Sequence, residues 1–374
     1  MIKLVYRYRS SNLEVMKKFS PLCLPNEICE IIFNYLSPEE LLNLLLVNSH
    51  FKSFILEGKC ADKLVLKINE NAKLEDVIKS KRRITNIVVE KLQHENMIRI
   101  FKKFHKTVKK VEIKDCSLAA KEEIEKFSFE LLRELTLSNI SGRILYPMMK
   151  LQKKLAVLNI WNLRGGIETL INFGKIQENL KELNLYLNPS SNIFYQDISN
   201  ILQFNLESIT ISFRSNFILD DCTLLNVENF LKSQGKTLKT IALINATNIT
   251  SIFRVWNSLD KVEKLYFFSA DFVQQDSSNF NLKVNERLKT FDVHVLGPVE
   301  LKIVEIQPLL KATKNLESLG VWNLNHKIIE YSALHLPKLK SIKCATMNND
   351  CKSFYDQLKT KKKVNAAIEI HQYL

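Results

Sequence analysis

Apolar positions along the chain fall into a recurring hexamer: apolar, two variable residues, apolar, one variable residue, apolar. It runs from "ADKLVL" at Ala61 to "LKSIKC" at Leu339. Between them stand "ITNIVV" (Ile84), "VKKVEI" (Val108), "LRELTL" (Leu132), "LAVLNI" (Leu155), "LKELNL" (Leu180), "LESITI" (Leu206), "LKTIAL" (Leu238), "VEKLYF" (Val262), "LKTFDV" (Leu288) and "LESLGV" (Leu316). These twelve copies start 23 to 32 residues apart. In "LKELNL", Leu183 and Leu185 are two apart and share one face of a short strand, while Glu182, Asn184 and Tyr186 share the other. Each hexamer therefore predicts a half-buried strand.

Between hexamers the apolar period changes to that of a helix, as at Met97, Ile98 and Phe101, at Ile167, Leu170 and Ile171, and at Ile198, Ile201 and Leu202. A strand and a helix of this size cannot bury their apolar sides alone, so the units must stack. The expected fold class is α/β: a curved solenoid with parallel strands on the concave side and helices on the convex side. The 32-residue interval after Leu206 predicts a longer loop around "RSNFILDDCT". Over residues 61–345 the LxxLxL periodicity resembles that of leucine-rich repeat proteins, whose horseshoe the chain is then expected to share. The asparagine or cysteine usual after the hexamer is present as Cys116 and, in a shifted place, as Asn139, Asn162, Asn245 and Asn323.

Ahead of the repeats lies "LPNEICEIIFNYLSPEELLNLLLVNSHF", residues 24–51, one of the most apolar stretches of the chain. Pro25 opens a helix with Ile28, Ile31, Ile32 and Tyr35 on one face, and Ser37-Pro38-Glu39-Glu40 is a capping box for a second helix. A third helix is predicted from about His50 to Leu56. The LP opening, Glu27-Ile28, Ile32-Phe33, Tyr35-Leu36, Pro38, Leu41-Leu42, Leu44, Val47 and an aromatic at Phe51 resemble the F-box. The chain thus divides into an N-terminal tail (1–20), a three-helix F-box (21–57), leucine-rich repeats (58–345) and a C-terminal repeat or cap (346–374).

That resemblance implies a substrate-recognition subunit of a ubiquitin ligase of the Skp-cullin-F-box type. Leu24, Pro25, Ile28, Ile32, Leu36, Leu41, Val47 and Phe51 would bind a Skp-type adaptor and, through it, a cullin. The repeats would hold an unidentified substrate protein. Strand alternation places the third, fifth and seventh positions of each repeat outward on the concave side. There the anchors expected for substrate are Trp161, Tyr186, Tyr266, Phe268, His294 and Trp322.

At 374 residues the chain exceeds the size of one globular core, so either two domains or an elongated array is expected. A net charge of +14 is concentrated in "KSKRR", "KKFHKTVKK", "KLQKK" and "KTKKK". This raises the alternative of a repeat scaffold that binds nucleic acid without ligase function. Seven cysteines form no CxxC pair and predict reduced thiols, not a zinc site or a disulfide framework. With no GxGxxG, P-loop, HExxH or GxSxG, neither a catalytic site nor a metal or other cofactor is expected. The chain has neither a signal-like start nor a run of about 18 apolar residues. It is therefore expected inside the cell, in cytoplasm or nucleus, with no membrane partner.

Overall fold

The computed structural model describes residues 25–47, 49–80, 83–116, 128–140, 152–162, 179–188, 194, 199, 204–214, 219–245, 249–269, 280–295, 301–347, 349–360 and 366–370. The chain divides into two compact units, Met1–Lys154 and Leu155–Leu374.

The first unit opens with three helices, α1 (Asn26–Tyr35), α2 (Pro38–Leu44) and α3 (Ser49–Glu57), then a 3-10 turn at Lys59–Lys63. Four strands follow, β1 (Val65–Ile68), β2 (Asn86–Glu90), β3 (Lys110–Lys114) and β4 (Glu134–Ser138), parallel and paired in chain order. Helix α4 (Leu74–Lys79) connects β1 to β2, and α5 (His94–Phe104) connects β2 to β3. The predicted stripe of α5 is buried at Met97, Ile98 and Phe101, together with Ile100 and Phe104.

The second unit carries β5 (Val157–Trp161), β6 (Glu182–Leu187), β7 (Ser208–Phe213), β8 (Thr240–Ile244), β9 (Lys264–Ser269), β10 (Thr290–Val295), β11 (Ser318–Leu324), β12 (Ser341–Met347) and β13 (Ala367–Ile370). All are parallel and each pairs with its chain neighbour. Helices α6 (Asp221–Gln234), α7 (Ile249–Trp256), α8 (Ile303–Ala312), α9 (His326–His335) and α10 (Asn349–Thr360) stand between them. The helical patterns at 167–171 and at Ile198, Ile201 and Leu202 lie outside the described residues.

From β2 to β12 each strand starts at the third hexamer position, whereas Ala61, Asp62 and Lys63 of "ADKLVL" lie in the 3-10 turn and β1 begins at its fifth residue, Val65. The fourth and sixth positions point inward, so Leu158 and Ile160, Leu183 and Leu185, and Ile209 and Ile211 form buried rows. Of the expected loop around "RSNFILDDCT", residues 215–218 lie outside the described residues and residues 221–223 open a helix. Asp220 accepts from Thr223 N at 2.6 Å and caps α6, so the extra residues of that repeat extend a 14-residue helix.

Backbone stitching fixes the register. From Lys181 to Glu317 the carbonyl of the second hexamer residue accepts two N–H groups from the next repeat: Lys239 O, for example, receives Glu263 N at 2.8 Å and Lys264 N at 3.0 Å. In the second unit those second residues alternate in sign, as Lys181, Glu207, Lys239, Glu263, Lys289, Glu317 and Lys340. Pairs form at 2.8 Å (Lys239 to Glu207), 3.6 Å (Lys181 to Glu207) and 2.6 Å (Lys340 to Glu317).

The shifted asparagines have a backbone cause. Asn139, Asn162 and Asn245 directly follow their strands with φ of 56°, 52° and 51°, the left-handed region that asparagine tolerates better than most residues. Lys91 and Asp115 occupy the same corner after β2 and β3. Asn323 differs, lying within β11 and accepting from the Thr346 hydroxyl. Cys116 is buried, with its thiol donating to Lys114 O at 3.2 Å.

Candidate functional site: an exposed apolar helical face and an aromatic strand face

Two helix faces are created at once by the spacing of α1. Cys29 and Phe33 turn inward onto Leu41, Phe51, Ile55 and Cys60. Phe33 meets Phe51 edge-on at 5.4 Å and Phe54 at 5.6 Å. That leaves Ile28 (42%), Ile31 (54%), Ile32 (42%) and Tyr35 (87%) exposed on the opposite side.

The corner after α1 is tightly held. The Ser37 hydroxyl accepts from Glu40 N at 3.3 Å while the Glu40 carboxylate accepts from Ser37 N at 2.7 Å. Those bonds keep the Glu40 carboxyl below its ordinary range. Lys63 Nζ donates to Leu36 O at 3.1 Å and to Asn34 O, occupying carbonyls at the C-terminal end of α1. With the corner fixed, Leu42, Leu46 and Val47 are also exposed.

The structure sorts the residues expected to meet an adaptor. Pro25, Ile28, Ile32 and Val47 are exposed, and Leu36 is half-buried against the helical core. Leu41 and Phe51 do not face outward: they lie inside the helix cluster, because their side chains are what α1 packs on. Leu24 lies outside the described residues. Leu42 and Leu46 were missed. In a run with leucine on every side of the helix, periodicity cannot tell which ones the core takes.

In the second unit the outward strand positions bring large aromatics together. Trp161 (42% exposed) stacks on Tyr186 of the next strand with centroids 3.4 Å apart and planes 5° from parallel. Below that pair Asn184 donates to Asn159 at 2.7 Å and to Glu182 at 2.8 Å. Tyr266, Phe268 and Trp322 are half-buried on the same face. Burial raises the phenols of Tyr186 and Tyr266 above their ordinary range.

His294 departs from expectation. It sits on the outward row yet is fully buried, since Phe268 stacks on it at 4.7 Å and Trp322 meets it edge-on at 6.0 Å. Burial pushes its pKa down to about 4, so the imidazole is neutral and supports its two aromatic neighbours instead of facing a ligand. Asp292, on the same row, lies over Gly320, where a side chain would collide with the carboxyl.

Among the described residues no group of three or more His, Cys, Asp or Glu is placed to hold a metal ion, and no helix is long and apolar enough to cross a membrane. Among the described cysteines none forms a disulfide; five are buried and Cys222 is exposed.

No curated protein matches the chain. Among solved structures, a chain of "Crystal structure of Rad7 and Elc1 complex in yeast" is similar, at 15% identity over 79% of this chain and 88% of that one, with a TM-score of 0.38. Residues 22–60 match the F-box-like family, and they are the residues whose helices hold the exposed apolar face: this chain carries an F-box-like domain there.

Proposed function

We propose that the protein is a substrate adaptor of the Skp-cullin-F-box type, in which the F-box-like domain holds a Skp-type adaptor, joined in turn to a cullin, and the repeats hold the substrate protein. The observation that carries this reading is the exposed apolar row of Ile28, Ile31, Ile32 and Tyr35 on a helix whose other side is locked into a core of its own. Apolar side chains concentrated on one short helix mark an interaction surface. A standard interface of about 800 Å² per partner covers a helical face of this size. On this reading the chain is not an enzyme and supplies proximity and orientation for a reaction carried out elsewhere in the assembly.

Substrate is assigned to the open strand face of the second unit, with Trp161, Tyr186, Tyr266, Phe268 and Trp322 as anchors. The test is co-purification with a Skp-type adaptor. Changing Pro25 and Ile32 together to alanine is expected to abolish adaptor recovery while leaving the repeats folded. Undiminished recovery from the folded double variant would sink the reading.

A further inference from the structure

The open strand face of the second unit is uneven. On β7 and β8 the outward residues are Ser208, Thr210, Ser212, Thr240, Ala242 and Ile244, none larger than isoleucine and none charged. On β6 and β5, to one side, stand Tyr186 and its stacked neighbour Trp161. On β9, to the other side, stand Tyr266 and Phe268, in register with Ala242 and Ile244. A low floor thus runs along two strands, walled on one side by Tyr266 and Phe268 and on the other by Asn184 and, at the Ile244 end, the stacked Tyr186–Trp161 pair. From β6 to β9 is three strand spacings, or about 14 Å between backbones. A strand of five or six residues makes the floor about 17 to 20 Å long.

An α-helix with its side chains is about 10 to 12 Å across, and about 12 residues of it match the floor in length. The charges narrow the choice further. Glu182 on β6 and Lys264 on β9 share one register row through Ser208 and Thr240, so opposite charges flank the same end of the floor. At that rim Glu207 pairs with both Lys181 and Lys239. Such a trough is complementary to an uncharged or apolar helix face with a basic residue on the Glu182 side and an acidic one on the Lys264 side.

We infer that the trough over β7 and β8 takes an amphipathic α-helix of the partner protein, lying along the strands with its apolar stripe between the Trp161–Tyr186 and Tyr266–Phe268 walls. This rests on the assignment of substrate to the open strand face and specifies what that face receives.

The probe is a displayed library of random peptides of about 16 residues, selected on the full-length protein. Selected peptides are expected to show apolar residues at helical spacing and to lose at least tenfold in affinity when Ala242→Trp fills the floor. A central proline is expected to abolish their binding. Ser212→Trp, from the other floor strand, repeats the test should Ala242→Trp fail to fold. If binding falls with Ala242→Trp but tolerates the proline, the face takes an extended segment: the helix proposal is overturned and the open-face assignment stands. If Ala242→Trp, Trp161→Ala and Trp322→Ala all leave affinity unchanged, both fail. A library yielding no peptide that binds better to the parent than to Ala242→Trp also overturns the proposal.

Discussion

Asp292 of β10 and Gly320 of β11 share one space: the aspartate carboxyl lies where the first side-chain carbon of any residue other than glycine at 320 would stand. Gly320 cannot gain a side chain unless Asp292 moves. Gly320→Ala is expected to destabilise the second unit by about 1 to 3 kcal/mol, the usual cost of overpacking. Asp292→Ala is expected to restore most of that loss. Urea unfolding of the two single variants and the double variant measures the coupling, and additive effects would mean that the two side chains do not compete.

His294 makes a pH-dependent contribution whose sign follows from its burial. Its folded pKa of about 4 lies below the ordinary value of about 6.5, so the neutral imidazole is favoured by folding. The contribution is complete above about pH 6.5 and is lost as pH falls toward 4, because the unfolded chain takes up the proton first. His294→Phe keeps a ring between Phe268 and Trp322 and is expected to flatten stability between pH 6.5 and 4.5. Unfolding midpoints across that window, compared with those of the parent, provide the check.

A lower window belongs to the charge row. Glu207 is held below the ordinary carboxylate range by its hydrogen bonds and attraction to Lys239 and Lys181, and Glu317 by Lys340. Depressed carboxylates stabilise the fold above that range and lose the effect as pH falls through it. Both glutamates are exposed enough for salt to screen them, so the effect is modest. Glu207→Lys sets three like charges side by side and is expected to lower Tm by about 1 to 2 °C, more at low salt. Adding Lys239→Glu re-forms an opposite pair across β7 and β8 but sets a carboxylate beside Glu263, so it is expected to recover part of the loss. A melting series in low and high salt distinguishes this from a packing defect, which salt would not relieve.

The two sides of the F-box-like domain are separable by mutation. Leu41→Ala hollows the helix cluster and is expected to cost about 2 to 5 kcal/mol. Ile31→Glu, on the open side, is expected to change stability by no more than about 0.5 kcal/mol and yet to abolish adaptor recovery. Thermal melts together with co-purification read both quantities. If Ile31→Glu bound the adaptor normally, the exposed row would not be the contact surface.

Strand positions were legible because two inward residues per hexamer repeat the same request for burial twelve times over. β13 escaped the pattern because Asn365 stands where the hexamer would start with an apolar residue. The left-handed corners at Asn139, Asn162 and Asn245 looked like misplaced consensus residues until their backbone angles supplied a reason of their own. At the site, the outward row of α1 was plain from spacing. The burial of Leu41, Phe51 and His294 was not, since alternation and helical period give a side chain's direction but not what a neighbour lays over it. His294 points out of the sheet as expected and is then covered by Phe268 and Trp322, whose reach across strands no local pattern encodes.

The stitching of the second unit makes it a graded mechanical element. Since β13 bonds to β12 and β12 to β11, each described strand pairing with its chain neighbours, a pull applied at the C-terminal strand loads one seam at a time. Force would peel the strands in reverse order of synthesis, each step paying out one repeat's length of slack. A motor unfolding the protein from that end would meet a run of small resistances, and the last strands to yield would be those carrying Tyr186 and Trp161.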